Sequence, residues 1–195
     1  MSKKIERIKE NVTIKEYKKL MSFTKEHESL RDNSKLNLLR AFTILFYTGL
    51  RVNELQALRI GDIKELIKNR SVKVELDKTS TERKLYLSND FEKALLELFD
   101  LNEDDENRVI AKGANKNKKS GIHPITFITH INKIMKESLG TGFTSHSFRQ
   151  GLISEMGSKS VNVKIISKFI GHRDVKTTLG YIKPTDSDIS QSLVR

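Results

Sequence analysis

Cysteine does not occur among the 195 residues of this chain. Its absence excludes disulfide bonds and thiolate chemistry, and it removes the ligands of the usual structural zinc sites. The sequence also lacks any apolar run close to the roughly 18 residues that suggest a membrane-spanning helix. Its lysine-rich start has no apolar core of the kind that signal peptides carry. We therefore expect a cytoplasmic protein that does not enter a membrane.

Acidic residues are too few to balance the basic ones. The chain has 36 Lys and Arg against 25 Asp and Glu, a formal net charge of +11. The basic residues are scattered among apolar helical patterns rather than gathered in a tail, and the length suits one compact unit. This distribution favours a folded protein with a basic face for a polyanion. A basic surface that serves solubility alone explains the charge equally well.

Apolar residues recur at helical spacing over most of the chain, without an internal repeat. Gly49 and Gly140 are well suited to end two of the helices. The predicted helices cover residues 14–25, a stretch from Ser34 to Gly49, one from Asp90, one from Pro124 to Gly140, residues 146–156 and 162–170, and a short segment around Tyr181.

Two short segments alternate with a period of two instead. Residues 72–76 and 84–87 alternate apolar and polar side chains on either side of residues 77–82. This pattern predicts an antiparallel hairpin with Lys78 near its turn. Arg51 falls in a turn before a short helix that Asn53 can cap. The predicted fold class is mainly α with a small antiparallel β-sheet (α+β).

Two arginines stand at predicted helix starts. Arg51 stands two residues after Gly49. Arg149 lies three residues after His146, so that on a helix His146 and Arg149 project from one face. Guanidinium groups bind phosphate oxygens bidentately and stay charged. A lone arginine is more often a surface or salt-bridging residue. The functional interpretation gains because both arginines lie beside other groups that can bind phosphate.

The other candidate residues also have a functional interpretation only when they lie beside groups that can bind phosphate. Lys78 could donate a proton, but a lone turn lysine is usually solvated. His146 and His172 could transfer protons near neutral pH, although an isolated histidine is usually structural. Tyr181 could be a nucleophile, but its free pKa of about 10 requires cationic neighbours and a base. Taken alone it would be a core residue.

The ordered set of these residues resembles the tyrosine recombinase (integrase) family, more closely its Xer-type and phage or transposon integrase branches. Residues 50–55 (LRVNEL) resemble its first arginine box, and residues 78–83 (KTSTER) its hairpin lysine turn. Residues 146–149 (HSFR) match its His-x-x-Arg. Residues 170–172 (IGH), then Thr177, Thr178 and Tyr181 match its third box and nucleophile. The resemblance covers residues 13–183, and it implies the fold of that family's catalytic domain.

The resemblance implies a site-specific DNA recombinase or integrase of a mobile element or a prokaryotic chromosome. Tyr181 would attack the scissile phosphate to give a 3′-phosphotyrosine and a free 5′-hydroxyl. Arg51 and Arg149 would bind the non-bridging oxygens, and Lys78 would protonate the leaving 5′-oxygen. No metal or nucleotide cofactor is expected, because the phosphotyrosine conserves the energy of the broken bond.

The remaining residues would assist. By the same resemblance, His146 would act in general acid/base catalysis and His172 would hydrogen-bond the phosphate. Glu54 would be a supporting residue that orients Arg51 or His146. Gln150 departs from the pattern, since many members carry histidine at that position.

The resemblance also implies partners and domains. Double-stranded DNA would be the substrate, and four protomers would assemble on it. Residues 1–12 would be a lead-in or the remnant of a linker, and residues 13–185 the catalytic domain. Residues 186–195 carry a small apolar stripe that would pack on its own domain or, as in the resembled family, dock on a neighbouring protomer. Members usually carry an N-terminal DNA-binding domain, so either an excised catalytic domain or a natural short form fits this chain.

Three other interpretations remain. Residues 113–120 (GANKNKKS) come close to a phosphate-binding P-loop, but Lys118 stands where that motif needs glycine. A catalytically silent DNA-binding module would explain the charge but not the full set of candidate residues. A type IB topoisomerase or a telomere resolvase would share the tyrosine chemistry, and only its DNA products would differ.

Overall fold

The computed structural model of the protein describes residues 10–76, 81–113, 118–172, 174–182 and residue 190. None of the helices among these residues is long and apolar enough to cross a membrane. The described elements are, in order, α1 (Ile14–Glu26), α2 (Asp32–Thr48), α3 (Val52–Ala57), α4 (Ile60–Asn69), β1 (Ser71–Leu76), β2 (Thr81–Tyr86), α5 (Asn89–Leu98), α6 (Pro124–Leu139), α7 (Ser145–Ser158), α8 (Val163–Ile170) and α9 (Val175–Leu179).

The two strands form the predicted antiparallel hairpin. Val72 pairs with Leu85 and Val74 with Arg83. Since directly opposed side chains project from the same face of a hairpin, the buried face carries Val72, Val74 and Leu85, and with them Arg83. The predicted turn with Lys78 lies outside the described residues.

One helix, α4, was not predicted from the sequence. Helix α4 buries Ile60, Ile63 and Leu66, a helical spacing that the sequence analysis did not use. At its start, the side chain of Asp62 accepts a hydrogen bond of 2.7 Å from the backbone N–H of Arg59. The helix leads directly into β1, so it fixes the entry of the hairpin.

The main core surrounds α2. This helix buries Leu38, Phe42 and Leu45, and the ring of Phe42 stacks on that of Phe148 from α7 at 5.8 Å. Burial of one such side chain contributes roughly 1.5–3 kcal/mol to stability. The packing holds α7 against the C-terminal end of α2, and it therefore places Arg149 beside the turn that carries Arg51.

A smaller apolar cluster lies between α7 and α8. Ile153, Ile166 and Ile170 are fully buried there. Tyr181, which comes later in the chain, packs against them. Tyr181 lies two residues beyond the end of α9 rather than within a helix. The small cluster thus holds the turn that carries the predicted nucleophile.

Among the described residues, 10–12 already pack on the domain, before the predicted boundary at residue 13. The backbone N–H of Val12 donates to the carbonyl of Ser147 over 3.1 Å, and Val12 is 2% exposed. The backbone of Val12 also lies so close to Gly151 that a Cβ there would be 2.3 Å from the Val12 carbonyl oxygen. Residues 10–12 are therefore part of the packed domain.

Candidate active site

Arg51 lies in the turn between α2 and α3. Gly49 ends α2 with a φ of 59°, a left-handed conformation that favours glycine. Arg51, rather than the predicted Asn53, is the residue before the first turn of α3. Glu54 accepts hydrogen bonds from the Arg51 backbone N–H at 2.8 Å and from its Nη1 at 2.7 Å. The guanidinium is 48% exposed and can therefore reach a ligand.

Arg149 is buried next to the turn that carries Arg51. Its Nη1 donates to the carbonyl of Gly49 and its Nη2 to the carbonyl of Ile170, each over 2.8 Å. Burial, together with the charges of Arg51 and Arg83, lowers the pKa of Arg149 to about 9. The side chain therefore remains charged at neutral pH, while its position is fixed by two carbonyl groups from different turns.

His172 follows the left-handed Gly171 that ends α8. Its Nε2 lies 3.4 Å from the donating Nε of Arg149, and its Nδ1 lies 2.8 Å from Oγ1 of Thr178. Burial and then the charge of Arg149 lower the pKa of His172 to about 4. The imidazole is therefore neutral at physiological pH. Because Nε2 accepts, the network assigns the proton to Nδ1, which donates to Thr178.

Tyr181 lies next to this imidazole. The ring centroids of Tyr181 and His172 are 6.2 Å apart, with an angle of 24° between the planes. Ser154 on α7 donates to the Tyr181 carbonyl over 3.3 Å and accepts from the amide of Asn11 over 3.2 Å. The turn that carries Tyr181 is thus bound to α7, and through Ser154 to the lead-in segment.

His146 and both predicted arginines line one cleft of about 270 Å³. His146 lies in the first turn of α7, one turn before Arg149, so the predicted shared face exists. The cleft is lined by Leu50, Arg51, Val52, Asn53, Ile128, Asn132, Thr144, Ser145, His146 and Arg149. Arg51, His146, Arg149, His172 and Tyr181 are therefore brought together, whereas Lys78 lies outside the described residues.

Arg83 lies in the motif of residues 78–83 but was not predicted to be a site residue. This residue is 4% exposed, and its Nη1 lies 3.2 Å from Oε2 of Glu54. Burial lowers its pKa to about 10, while the charge of Glu54 opposes the shift. The available signal was the alternation of β2, which places position 83 on the same face as Leu85. An arginine at an inward position implies buried polar partners.

The charges of the site are unbalanced. Arg51 and Arg83 each form an ion pair with Glu54, and the charges of both arginines also act on Arg149. One carboxylate thus pairs with two guanidinium groups, and its charge also acts on the third, that of Arg149. The excess of fixed positive charge favours an anion in the cleft, and preorganised charge of this kind stabilises a phosphoryl transition state.

Comparison with known proteins identifies the family of this chain. Residues 10–188 match the phage integrase family. The chain therefore belongs to that family. A tyrosine recombinase of Thermosipho africanus is 26% identical over 161 residues, which cover 82% of this chain and 54% of that protein. Tyrosine recombinase XerA of Pyrococcus horikoshii is 28% identical over 186 residues, which cover 94% of this chain and 60% of that protein. The chain spans about half to three-fifths of the length of these relatives.

Solved structures share the fold. A crystal structure of XerA recombinase superposes with a TM-score of 0.69 at 21% identity, covering 95% of this chain and 65% of that one. The Tn1549 transposon integrase in complex with transposon right end DNA gives a TM-score of 0.75 at 16% identity, covering 98% and 67%. The predicted fold class, mainly α with a small antiparallel sheet of the integrase catalytic-domain type, is confirmed.

Proposed function

We propose that this chain cleaves and rejoins DNA strands through a 3′-phosphotyrosine intermediate, as the catalytic part of a site-specific recombinase or integrase. The observation that carries the proposal is the convergence on one cleft of Arg51, His146 and Arg149, with His172 hydrogen-bonded to Arg149 and Tyr181 beside it. Family membership supports the same chemistry.

The proposed reaction is a transesterification. The phenolic oxygen of Tyr181 bonds to phosphorus, and the bond from phosphorus to the 5′-oxygen breaks. His146 accepts the phenolic proton, and Lys78 gives a proton to the leaving 5′-oxygen. Rejoining reverses these transfers, with a 5′-hydroxyl as the attacking group. Neither direction consumes an external reactant, because one phosphodiester bond replaces another.

Arg51 and Arg149 have different parts in binding the phosphate. Arg149 is held by the carbonyls of Gly49 and Ile170, so it offers a charge in a fixed position. Arg51 is half-exposed and held by Glu54 alone among the contacts described, so it can turn towards an incoming phosphate. Preorganised donors lower the barrier because they need no reorganisation during the reaction.

The ring of His172 must carry a proton on Nε2 before it can donate the proposed hydrogen bond to the phosphate. A hydrogen bond from its Nε2 to a phosphate oxygen requires a proton on that nitrogen, whereas Nε2 here accepts from Arg149. A phosphate beside the ring favours the protonated imidazole. Binding of DNA should therefore raise the pKa of His172 from about 4 and draw a proton into the site.

Capture of the covalent intermediate tests the proposal. The chain is incubated without metal with a library of supercoiled plasmids that carry random inserts, and the reaction is stopped with detergent. We expect a covalent protein–DNA adduct through Tyr181, which Tyr181→Phe abolishes while DNA binding persists. Binding without an adduct would indicate a silent DNA-binding module. Relaxed products without strand exchange would favour a topoisomerase, and closed hairpin ends a telomere resolvase.

Assembly belongs to the same proposal. Strand exchange needs four active protomers, so we propose a tetramer on double-stranded DNA, acting in a prokaryotic cell on chromosomal or mobile-element DNA. Residues 186–195 would couple the protomers, and all of them except residue 190 lie outside the described residues. Deleting residues 186–195 should reduce assembly on DNA more than it reduces thermal stability. Full strand exchange after the deletion would refute this role.

A further inference from the structure

We propose that Arg83 is a positioning residue for DNA cleavage. It acts on Arg51 through Glu54. It also binds two backbone carbonyls in the two turns to which Arg149 is hydrogen-bonded. The inference rests on the proposed function. Arg83 is not among the residues that line the cleft. Beside the charge that it adds near Arg149, its contribution to cleavage therefore passes through the groups that it binds.

Burial of the charged Arg83 side chain in the hairpin carries a desolvation penalty. The other buried side chains on its face are Val72, Val74 and Leu85. A further apolar residue would fill such a position without the desolvation of an ion. Replacing a buried ion pair with apolar residues is often neutral or stabilising. Stability alone therefore gives a weak reason for an arginine here, and its contacts give a better one.

Glu54 is the first of these contacts. Its Oε1 accepts from Nη1 of Arg51 at 2.7 Å, and its Oε2 lies 3.2 Å from Nη1 of Arg83. The carboxylate is thus held between a half-exposed arginine and a buried one. Without Arg83, the described contacts of Glu54 would be those with Arg51 alone, and both side chains could move together. Arg83 therefore anchors the pair that presents the Arg51 guanidinium to the cleft.

The carbonyl contacts form a second link. Arg83 donates from Nη2 to Thr48 over 2.5 Å and from Nε to Phe169 over 3.2 Å. Arg149 donates to the next carbonyl of each turn, those of Gly49 and Ile170. Two arginines therefore join the same two turns in parallel, and only Arg149 also lines the cleft. Arg83 thereby fixes the carbonyl groups that orient Arg149.

The test measures single-turnover cleavage at saturating DNA, on a duplex whose sequence is recovered from the adduct of the plasmid library. We expect Arg83→Met to lower the cleavage rate by about 10- to 100-fold, the scale of a misplacement of about 1 Å in an active site. DNA affinity should change less than twofold, because Arg83 does not reach the cleft. Arg83→Lys should recover part of the rate, since an ammonium can bind Glu54 but cannot donate to both carbonyls in a fixed geometry.

Arg40 provides a matched control. It is also buried, at 5% exposure, and it also donates to a carbonyl, that of Leu98, and pairs with a carboxylate, that of Glu103. These partners are not among the residues that line the cleft. Arg40→Met should lower thermal stability about as much as Arg83→Met does, while the folded protein cleaves at the wild-type rate.

A double variant identifies the path. If Arg83 acts through Glu54, Arg83→Met combined with Glu54→Gln should cleave little more slowly than the slower single variant, because coupled residues are not additive. Substituting sulfur for the bridging 5′-oxygen should not restore the rate of Arg83→Met, because Arg83 does not act on the leaving group.

The possible results separate the two proposals. Failure of the wild-type chain to form any adduct would overturn the proposed function and this inference with it. Wild-type cleavage by Arg83→Met would overturn the inference alone. So would fully additive effects with Glu54→Gln, an equal rate loss in Arg40→Met, or failure of both Arg83→Met and Arg83→Lys to fold.

Discussion

Arg149 and His172 are hydrogen-bonded to each other, Nε to Nε2 over 3.4 Å, in the position where both are proposed to meet the phosphate. The contact fixes the imidazole in its neutral form, with the proton on Nδ1 and Thr178 as acceptor. A phosphate that accepts a hydrogen bond from Nε2 would therefore have to replace this contact, and a proton would have to move to Nε2 or be added there.

The first prediction concerns the pH dependence of stability. His172 has a folded-state pKa of about 4 against an ordinary value of 6.5. Between these values the unfolded chain binds more protons, so the free energy of unfolding increases with pH across this window. We expect His172→Gln to show a flatter dependence than the wild type between about pH 4 and 6.5 in urea titrations. Identical slopes in the two proteins would contradict the neutral assignment.

The two cleft arginines should differ in their effect on folding. Arg51→Ala removes a half-exposed ion pair, worth about 0–1 kcal/mol. Arg149→Ala removes a buried guanidinium and leaves the carbonyls of Gly49 and Ile170 without this donor, at about 1–3 kcal/mol for each unsatisfied group. Both variants should lose about 10²- to 10³-fold in cleavage rate. Thermal denaturation should show a clear loss of stability only for Arg149→Ala.

Lys78 can be tested through the leaving group. If Lys78 protonates the 5′-oxygen, Lys78→Ala should cleave ordinary DNA slowly but recover on a duplex with sulfur at the bridging 5′ position, because a thiolate leaves without a proton. Arg51→Ala serves as the control, since it should stay slow on both substrates. Equal impairment of Lys78→Ala on both would reduce Lys78 to a binding residue.

Gly151 provides a test of the packing of residues 10–12. A Cβ at this position would lie 2.3 Å from the carbonyl oxygen of Val12, which is backbone and cannot yield without displacing the segment. We expect Gly151→Ala to lower the free energy of unfolding by about 1–3 kcal/mol. Gly157→Ala on the same helix is the control, because its contacts at 3.1 Å and beyond involve the side chain of Ile182, which can adjust. Equal stability of both variants would show that residues 10–12 do not pack here.

Periodicity predicted the hairpin and most helices because both depend on neighbours in sequence. The convergence of Arg51, His146, Arg149, His172 and Tyr181 was instead predicted from the resemblance of their motifs to those of the tyrosine recombinase family. The spacing of Ile60, Ile63 and Leu66 in α4 was equally available and was overlooked.

Arg83 could not be understood from local pattern alone. Its partners are Thr48, Glu54 and Phe169, the last of which is 86 positions away in the sequence. No spacing rule relates these positions. The burial of Arg149 has the same origin, because its two carbonyl partners come from turns that only the packing of α2, α7 and α8 brings together.

The parallel bonds of Arg83 and Arg149 also place the active site late in the folding of the chain. Arg149 and its partner Gly49 are 100 positions apart, and closing so long a segment costs entropy that only the packed helices can offset. A nascent or partly folded chain would hold Arg51 and Tyr181 on separate, unconnected segments. Such a chain would keep its basic charge but not the assembled site, so the proposed ability to cut DNA would arise only after the three helices have packed together.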